Sequence, residues 1–424
     1  MPRRSPAPQT QDGQGVPHLI SALTCLLGVD MPQSLARRME GLHSSAIRDL
    51  LTLTARPDVV SLAGGLPDPE FIPRERIRKE AELALADPAS VQYGETTGLR
   101  KLRDVLAARE GAKIGRALDA ADVVVTHGSQ QALSLLAQVL LDPGDVVIVE
   151  EPAYTGALQV FRAAEADVRS VPLDADGMDT AALQGLLQSG LRPAVVHTVS
   201  NFHNPRGVVL TAGRREHLAA LADRYGFWVI EDDPYGELFF DGPPPAPVAA
   251  LSDRVIRLSS ASKILAPALR VGWLHGDRRV CEAVELLKQG ADLCGSSLTH
   301  QIAAGLLSDE PWLDLHLEML RARYGSRARA LADGVASTFG DRAGVSSAVG
   351  GMFCWTEFAD SGLDTAALLQ TAVEHGVAFV PGSAFGVAAE HRSALRLCFA
   401  TCSEDVLTGA AARLGDAYAD HAQS

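Results

Sequence analysis

The chain has few cysteines, no long apolar run and a deficit of positive charge. Its 424 residues include six cysteines that lie far apart, without the short paired spacings of a zinc site or the density of a disulfide scaffold. No apolar run reaches the roughly 18 residues that cross a bilayer. We therefore expect buried thiols in a reducing cytoplasm, no metal site and no membrane partner.

The net charge of −14 argues against binding to polyanions. An acidic protein repels nucleic acid, and the sequence has no block of basic residues interleaved with aromatic ones. The hydrophobic fraction of 47% is enough for substantial cores. These features favour a cytoplasmic enzyme that acts on small molecules, with no nucleic-acid partner.

A lysine among small hydroxyl residues follows a predicted strand. The apolar run 255–258 is typical of a buried strand, and Ser260, Ser262, Lys263 and Arg270 come after it. Open α/β sheets bind ligands at such strand ends. An amine that attacks a carbonyl, beside donors for a phosphate, suits pyridoxal 5′-phosphate, which carries both groups. The same spacing also fits a surface turn with a solvated lysine.

Polar residues recur at the ends of four successive predicted strands. They are Tyr154, Asn204, Asp232 with Tyr235, and Lys263. Taken alone, Tyr154 could be a core residue, Asn204 a turn residue and Asp232 a helix cap. Because a βα alternation brings these strand ends to one edge of a sheet, the pattern favours a shared site.

A glycine turn adds a candidate anion site. It lies between the predicted strand 123–125 and the following helix, and it places Ser129 and Gln130 at a helix N-terminus. Free N–H groups and the helix dipole attract anions there. Ser129 would also cap this helix if no anion were bound.

The sequence pattern alone leaves two possible roles for each of three other residues. Gly65 lies in a glycine loop that suits either a close backbone approach or a tight turn. Tyr93 is either a loop anchor or a phosphate donor. Arg396 alternates with the apolar residues of a predicted strand over 394–399, so either an exposed arginine or a ligand contact is compatible with the pattern.

The chain changes character along its length. Residues 1–31 are rich in Pro, Gln and Gly, which predicts a disordered extension. Towards the C-terminus the pattern predicts a helical region over 297–329 and a strand over 345–358, typical of a small α+β domain.

Together these segments resemble the fold-type I pyridoxal-phosphate aminotransferases of the class I/II family, most closely the branch with 2-aminoadipate and kynurenine aminotransferases. The likeness runs from about residue 32 to residue 414. It is most specific at residues 62–67, 128–133, 231–238 and 260–273.

The resemblance implies an α/β fold, with a large domain built on a mostly parallel central sheet flanked by helices, and a small α+β domain. The implied boundaries are an N-terminal extension (1–31), an arm with part of the small domain (32–80), the large cofactor domain (81–295) and the small C-terminal domain (296–424).

The resemblance also implies roles for the candidate residues. Lys263 would hold pyridoxal phosphate as a Schiff base and move a proton at the substrate Cα, with Asp232 facing the ring nitrogen. Asn204 and Tyr235 would bind the phenolic oxygen, and Tyr154 would stack on the ring. The implied phosphate ligands are Ser129, Gln130, Ser260, Ser262 and Arg270, with Tyr93 supplied by a neighbouring subunit. A homodimer with shared sites would follow.

The implied substrates are an L-amino acid and a 2-oxo acid. Arg396 would bind the α-carboxylate through two parallel hydrogen bonds, and Arg48, Gly65 and Asn204 would also contact the substrate. The expected reaction moves the amino group to the 2-oxo acid, such as 2-oxoglutarate, in two half-reactions.

Two alternatives remain beside this expectation. The chain departs from the frequent family pattern at His203, Arg206 and Cys398, near the cofactor residues, so a related oxidase, lyase or cyclase stays open. A DNA-binding regulator with the same fold would need a winged-helix domain ahead of residue 32. Domains much below about 40 residues rarely fold unaided, and the residues there are too few and not basic.

Overall fold

The computed structural model describes residues 36–39, 58–346 and 348–423. Contacts divide the chain into a first unit, residues 1–42, and a second unit, residues 43–424. The first unit shows one 3-10 turn, Arg37–Met39. All further description concerns the second unit. The predicted disordered extension, residues 1–31, lies outside the described residues.

Strands and helices alternate through most of the described chain. The strands are β1 (Val60–Ser61), β2 (Val123–Thr126), β3 (Val146–Glu151), β4 (Asp167–Asp174), β5 (Gly177–Met178), β6 (Val195–Thr198), β7 (Trp228–Asp233), β8 (Val255–Ser260), β9 (Gly272–His275), β10 (Ala343–Val345), β11 (Phe353–Phe358), β12 (Val377–Ala378), β13 (Val380–Pro381) and β14 (Ala394–Cys398). The helices are α1 (Arg74–Leu85), α2 (Arg100–Ile114), α3 (Ser129–Leu140), α4 (Thr155–Ala163), α5 (Thr180–Gln188), α6 (Ala212–Tyr225), α7 (Arg278–Ala291), α8 (Ser297–Ser308), α9 (Glu310–Phe339), α10 (Thr365–Glu374) and α11 (Glu404–His421).

A mostly parallel sheet of eight strands forms the centre of this unit, in the order β2-β9-β8-β7-β6-β3-β4-β5. The strands from β8 to β4 run parallel to their neighbours, and antiparallel pairs add β2, β9 and β5. Every residue of β6 and β8 is buried, as expected for strands covered on both faces.

Alternate residues of the central strands face two different layers of helices. Val147 packs in an apolar cluster with residues of α3, α4 and α7. Its neighbour Ile148 packs in a second cluster with residues of α5 and α6. Because side chains alternate along a strand, one apolar run serves both layers. The predicted sheet with flanking helices is confirmed.

A smaller antiparallel sheet, ordered β10-β11-β14-β13, lies in the C-terminal part, and β1 pairs with β12 in parallel. Two predicted elements there need correction. The helical region over 297–329 is two helices separated at Asp309, whose side chain accepts a hydrogen bond from Trp312 N at the start of α9. The strand over 345–358 is broken between β10 and β11, where Gly351 has a φ of 72°.

The described part of the chain contains no helix that is both long and apolar enough to span a bilayer.

Candidate active site

A cavity of about 260 Å³ opens where β3, β6, β7 and β8 end. This is the edge at which the sequence places its polar residues. The predicted residues that line it are Gly65, Ser129, Gln130, Tyr154, Asn204, Asp232, Tyr235, Ser260, Ser262, Lys263, Arg270 and Arg396.

Lys263 projects into this cavity from the turn after β8. Its Nζ donates a hydrogen bond to the carbonyl oxygen of Gly65 at 2.7 Å. Burial lowers the pKa of Lys263 to about 8, and the nearby cations Arg396 and Arg270 act in the same direction. An appreciable share of this amine is therefore uncharged near neutral pH, as a nucleophile for a carbonyl must be. The alternative of a solvated surface lysine is wrong.

Asp232, in β7, is a buried acid with one unpartnered oxygen. Its side chain is 4% exposed, and its Oδ2 lies 3.7 Å from His197 Nε2, too far for a hydrogen bond. Its Oδ1 has no hydrogen-bond partner among the described residues. Burial raises the pKa of Asp232, and the neighbouring acids Asp233 and Glu150 raise it further, against His197. A cationic N–H donor placed at Oδ1 would supply the missing partner and favour the carboxylate.

Several hydrogen-bond donors also line the cavity. Ser260 Oγ lies 2.8 Å from Ser262 Oγ and accepts from the Ser262 N–H. Helix α3 begins at Ser129, directly after Gly128, whose φ is 77°. A Cβ on Gly128 would lie 2.5 Å from Arg270 Nη2, so only glycine leaves room for that guanidinium. Two hydroxyls, a helix N-terminus and an arginine together suit a phosphate.

Arg396, in β14, is buried between two aromatic rings. Its guanidinium carbon lies 4.2 Å from the ring centroid of Phe353 and 5.2 Å from that of Phe385. It donates to Asn204 Oδ1 at 2.8 Å and to the Ala63 carbonyl oxygen at 2.6 Å. Burial lowers the pKa of Arg396 to about 10, which leaves it cationic at neutral pH. With 1% exposure, it is not a surface arginine, so that alternative is wrong.

Asn204 has its orientation fixed by this contact. A guanidinium can only donate, so the Asn204 carbonyl oxygen must face Arg396 and its NH₂ group must point the other way. Nearby, Tyr154 donates from its hydroxyl to Gln130 Oε1 at 3.1 Å. Tyr235 is 5% exposed, and burial raises its pKa. Tyr235 therefore stays a neutral donor at physiological pH.

One described residue of the predicted set, Tyr93, does not line the cavity and is 78% exposed. Arg48 lies outside the described residues. Of the residues that depart from the family pattern, Arg206 points towards Glu357, with 3.8 Å between Nη1 and Oε2, and Cys398 is buried.

Sequence reasoning missed the cavity wall. Gly128, Val199, Pro234 and Phe353 also line the cavity. Gly128 stood in the predicted glycine turn, but nothing in an isolated apolar residue distinguishes a cavity wall from a core position. The glycine pair at 350–351, ahead of Phe353, was the one available signal of a close approach.

His203 was noted only as a departure from the family pattern. Its Nε2 lies 3.0 Å from Glu150 Oε2, with the N–H directed off the line between the two atoms. The contact is therefore a close approach of two buried polar side chains, and not an aligned hydrogen bond.

The cavity combines a buried amine, a buried guanidinium and a group of donors that suit a phosphate. The chain belongs to the family of class I and II aminotransferases, whose model matches residues 57–414.

Individual relatives agree with the family. The chain is 36% identical to the aromatic-amino-acid aminotransferase 1 of Thermococcus litoralis, over 92% of this chain and 94% of that protein. It is similar to the solved kynurenine aminotransferase of Pyrococcus horikoshii, with a TM-score of 0.85 and 37% identity over 93% of this chain and 99% of that one.

A third relative connects the site to its cofactor. The solved α-aminoadipate aminotransferase of Thermus thermophilus, in complex with N-(5′-phosphopyridoxyl)-L-leucine, matches with a TM-score of 0.84 and 32% identity. The match covers 91% of this chain and 97% of that one. The protein is a fold-type I aminotransferase that uses pyridoxal phosphate to move the amino group of an amino acid to a 2-oxo acid.

The donor set of the cavity fits this cofactor. The buried carboxyl group of Asp232 suits a protonated ring nitrogen, and the hydroxyls of Ser260 and Ser262 with the guanidinium of Arg270 suit the phosphate. The amine of Lys263 lines the same cavity and suits the aldehyde.

Proposed function

We propose that the predicted residues divide the work of transamination as the cavity geometry suggests. Lys263 binds the aldehyde carbon and carries the proton at the substrate Cα, and Asp232 holds the ring nitrogen protonated. The remaining cofactor contacts are Ser129, Gln130, Tyr154, Asn204, Tyr235, Ser260, Ser262 and Arg270. The observation that supports this division most strongly is that the buried, incompletely hydrogen-bonded carboxyl group of Asp232 lines the cavity that also holds the Lys263 amine.

The protein contributes binding, orientation and proton transfer. Bound pyridoxal phosphate supplies an aldehyde for the amino group and a ring that delocalises the electrons left when the Cα–H bond breaks. The near-neutral pKa of Lys263 lets its amine accept and return that proton at physiological pH. Asn204 and Tyr235 donate hydrogen bonds to the phenolic oxygen of the cofactor, and Tyr154 stacks on the cofactor ring.

Arg396 binds the substrate α-carboxylate in this proposal. Of the cations that line the cavity, Lys263 is assigned to the aldehyde and Arg270 to the phosphate, which leaves Arg396 for the substrate. Its Nε is buried without a hydrogen-bond partner in the described part of the chain. Phe353, Val199 and Gly65 form an apolar wall beside it, which favours a large apolar or aromatic donor. We propose 2-oxoglutarate as acceptor, with Arg48 as the partner of its distal carboxylate.

The assembly we propose is a cytoplasmic homodimer in which Tyr93 reaches the phosphate of the neighbouring subunit. Val91, Tyr93 and Leu293 are 70%, 78% and 52% exposed and so are accessible to a neighbouring subunit. Ser297 Oγ donates to the Gln92 carbonyl oxygen at 3.0 Å and so links the Tyr93 loop to the segment after α7. The domain boundaries at residues 31, 80 and 295 stay predictions.

Half-reaction spectroscopy tests the proposal. Purified protein with bound cofactor is mixed with an amino donor, and absorbance follows conversion to the amine form of the cofactor; a 2-oxo acid is then added. We expect complete conversion and complete recovery with phenylalanine and 2-oxoglutarate. Release of ammonia or peroxide without that cycle would favour a lyase or an oxidase instead.

A further inference from the structure

A loop after β13 holds the carboxylate at the end of β3. Glu151 Oε2 accepts hydrogen bonds from the backbone N–H groups of Ala388 and Ala389, at 2.6 and 3.4 Å. Oε1 accepts from Val387 N at 3.1 Å and lies 2.8 Å from His391 Nε2. We call these contacts of Glu151 with Val387, Ala388, Ala389 and His391 the Glu151 clasp.

The clasp lies between the chain segments that carry two cavity residues, Tyr154 and Arg396. On one side, Glu151 lies three residues before Tyr154, which the proposed function places on the cofactor ring. On the other side, the loop follows Phe385, whose ring centroid lies 5.2 Å from the guanidinium carbon of Arg396. Between them the Ala153 N–H donates to the Phe385 carbonyl oxygen at 2.8 Å. The clasp therefore fixes the spacing between the ring-binding and carboxylate-binding sides of the site.

The clasp is built to stay charged. The Glu151 side chain is only 10% exposed, and burial alone would raise its pKa. Hydrogen bonds from His391, from the backbone N–H groups and from Ser170 outweigh burial and hold the pKa of Glu151 at about 2. Bonds to an ionised acceptor are about twice as strong as neutral ones. Val387 also packs against the apolar cluster of the large sheet, so the loop is anchored by two kinds of contact.

We infer that Glu151 is a positioning residue for recognition of the substrate carboxylate, acting through Phe385 and Arg396. The inference rests on the proposed role of Arg396 and deepens it. If the clasp is loosened, the cofactor contacts remain, because they come from the large sheet and its turns. The guanidinium loses its fixed distance to the cofactor ring, and substrate binding should suffer first.

Glu151→Gln tests the inference, because it keeps the size of the side chain and removes its charge. We expect the KM for phenylalanine to rise on the order of tenfold, while kcat changes less than about threefold and the affinity for pyridoxal phosphate stays constant. The matched control is Glu390→Gln, a change at an exposed glutamate of the same loop, which should leave both constants unchanged. Equal losses in cofactor affinity and kcat, or an unchanged KM, would overturn the inference.

A double-mutant cycle with Arg396→Lys separates this inference from the proposed function. If Glu151 acts through Arg396, the KM effects of the two variants should combine to less than their product. Independent, multiplying effects contradict the inference alone. A wild-type KM in Arg396→Lys would contradict the proposed function. Should Glu151→Gln not fold, His391→Gln removes one clasp contact and should raise KM in the same direction by a smaller factor.

Discussion

The acidic residues on the two faces of β7 differ in whether they have partners within the chain. Glu231 and Asp233 point to one face, where both contact the guanidinium of Arg257. Glu231 also accepts from Ser200 Oγ and two backbone N–H groups. Asp232 points to the other face, where one of its oxygens has no partner in the described residues.

The difference shows how one strand can serve folding and chemistry together. Side chains alternate along a strand, so consecutive acids enter different environments. Buried charges cost free energy unless they are paired, and the paired side satisfies that condition within the chain. On the other face, Asp232 has no such partner, so a bound ligand must supply the compensating charge or hydrogen bond. Stability and function are thus separable by single substitutions on neighbouring residues.

The largest predicted effect comes from exchanging the two neighbouring aspartates for asparagine. Asp232→Asn should lower kcat/KM on the order of 10³-fold, because a neutral amide cannot keep the ring nitrogen protonated. The free energy of unfolding of the cofactor-free protein should not fall, since a poorly compensated buried acid is removed. Steady-state kinetics and denaturant unfolding measure the two quantities.

Asp233→Asn should do the reverse. It removes a carboxylate that pairs with Arg257 and accepts from Gly236 N at 2.7 Å, so unfolding should become easier while the proton transfer step persists. If both variants lost activity and stability alike, the separation between the two faces of β7 would be wrong.

Arg257→Met tests the paired face as a whole. Arg257 is 1% exposed and contacts Glu110, Glu231 and Asp233, so methionine would leave three buried carboxylates without this cation. We expect a loss of roughly 3–5 kcal/mol in the free energy of unfolding. The loss should shrink at acid pH, because protonation of Glu110, whose pKa Lys113, His275 and Arg257 lower against the effect of burial, removes its need for a cation. A loss that does not change with pH would indicate lost packing and not lost charge pairing.

The pH dependence of cofactor binding tests the cavity side of the comparison, through the amine of Lys263. The Lys263 amine must be neutral to attack an aldehyde, and burial lowers its pKa to about 8. The rate of reconstitution of the cofactor-free protein should therefore rise about tenfold between pH 7 and pH 9 and level off above that. Stopped-flow absorbance measures this rate. A rate that kept rising to pH 10 would mean that the lysine titrates as an ordinary exposed amine.

Features that depend on a repeating local pattern could be predicted from the sequence. Features that depend on contacts between residues far apart in the chain could not. Apolar runs followed by polar residues predicted β3, β6, β7 and β8 and the edge at which the cavity opens. The burial of Arg396 was not predictable from the alternation in β14, because the covering rings of Phe353 and Phe385 come from elsewhere in the chain. The Glu151 clasp has no local signal, since it joins residues 236 or more positions apart.

The roles of individual residues depended on resemblance more than on pattern. Spacing alone left Lys263, Gly65 and Tyr93 between a plain structural role and a ligand contact. The structure places Lys263 and Gly65 at the cavity, where they share a hydrogen bond, and their ligand contacts stay predictions. Tyr93 stays a prediction, because the role assigned to it needs a neighbouring subunit.

The smallest predicted effect extends the comparison to β8, where two adjacent serines face opposite sides. Ser259 Oγ donates to the Asp233 carbonyl oxygen at 2.6 Å, whereas Ser260 Oγ meets Ser262 in the proposed phosphate site. Each hydroxyl contributes about 1 kcal/mol where it is used. Ser260→Ala should therefore weaken cofactor binding about fivefold, whereas Ser259→Ala should lower the free energy of unfolding by about 1 kcal/mol without changing cofactor affinity. Equilibrium titration with pyridoxal phosphate measures cofactor affinity, and urea unfolding measures stability. If Ser259→Ala weakened cofactor binding and Ser260→Ala did not, the separation of roles would hold for β7 only.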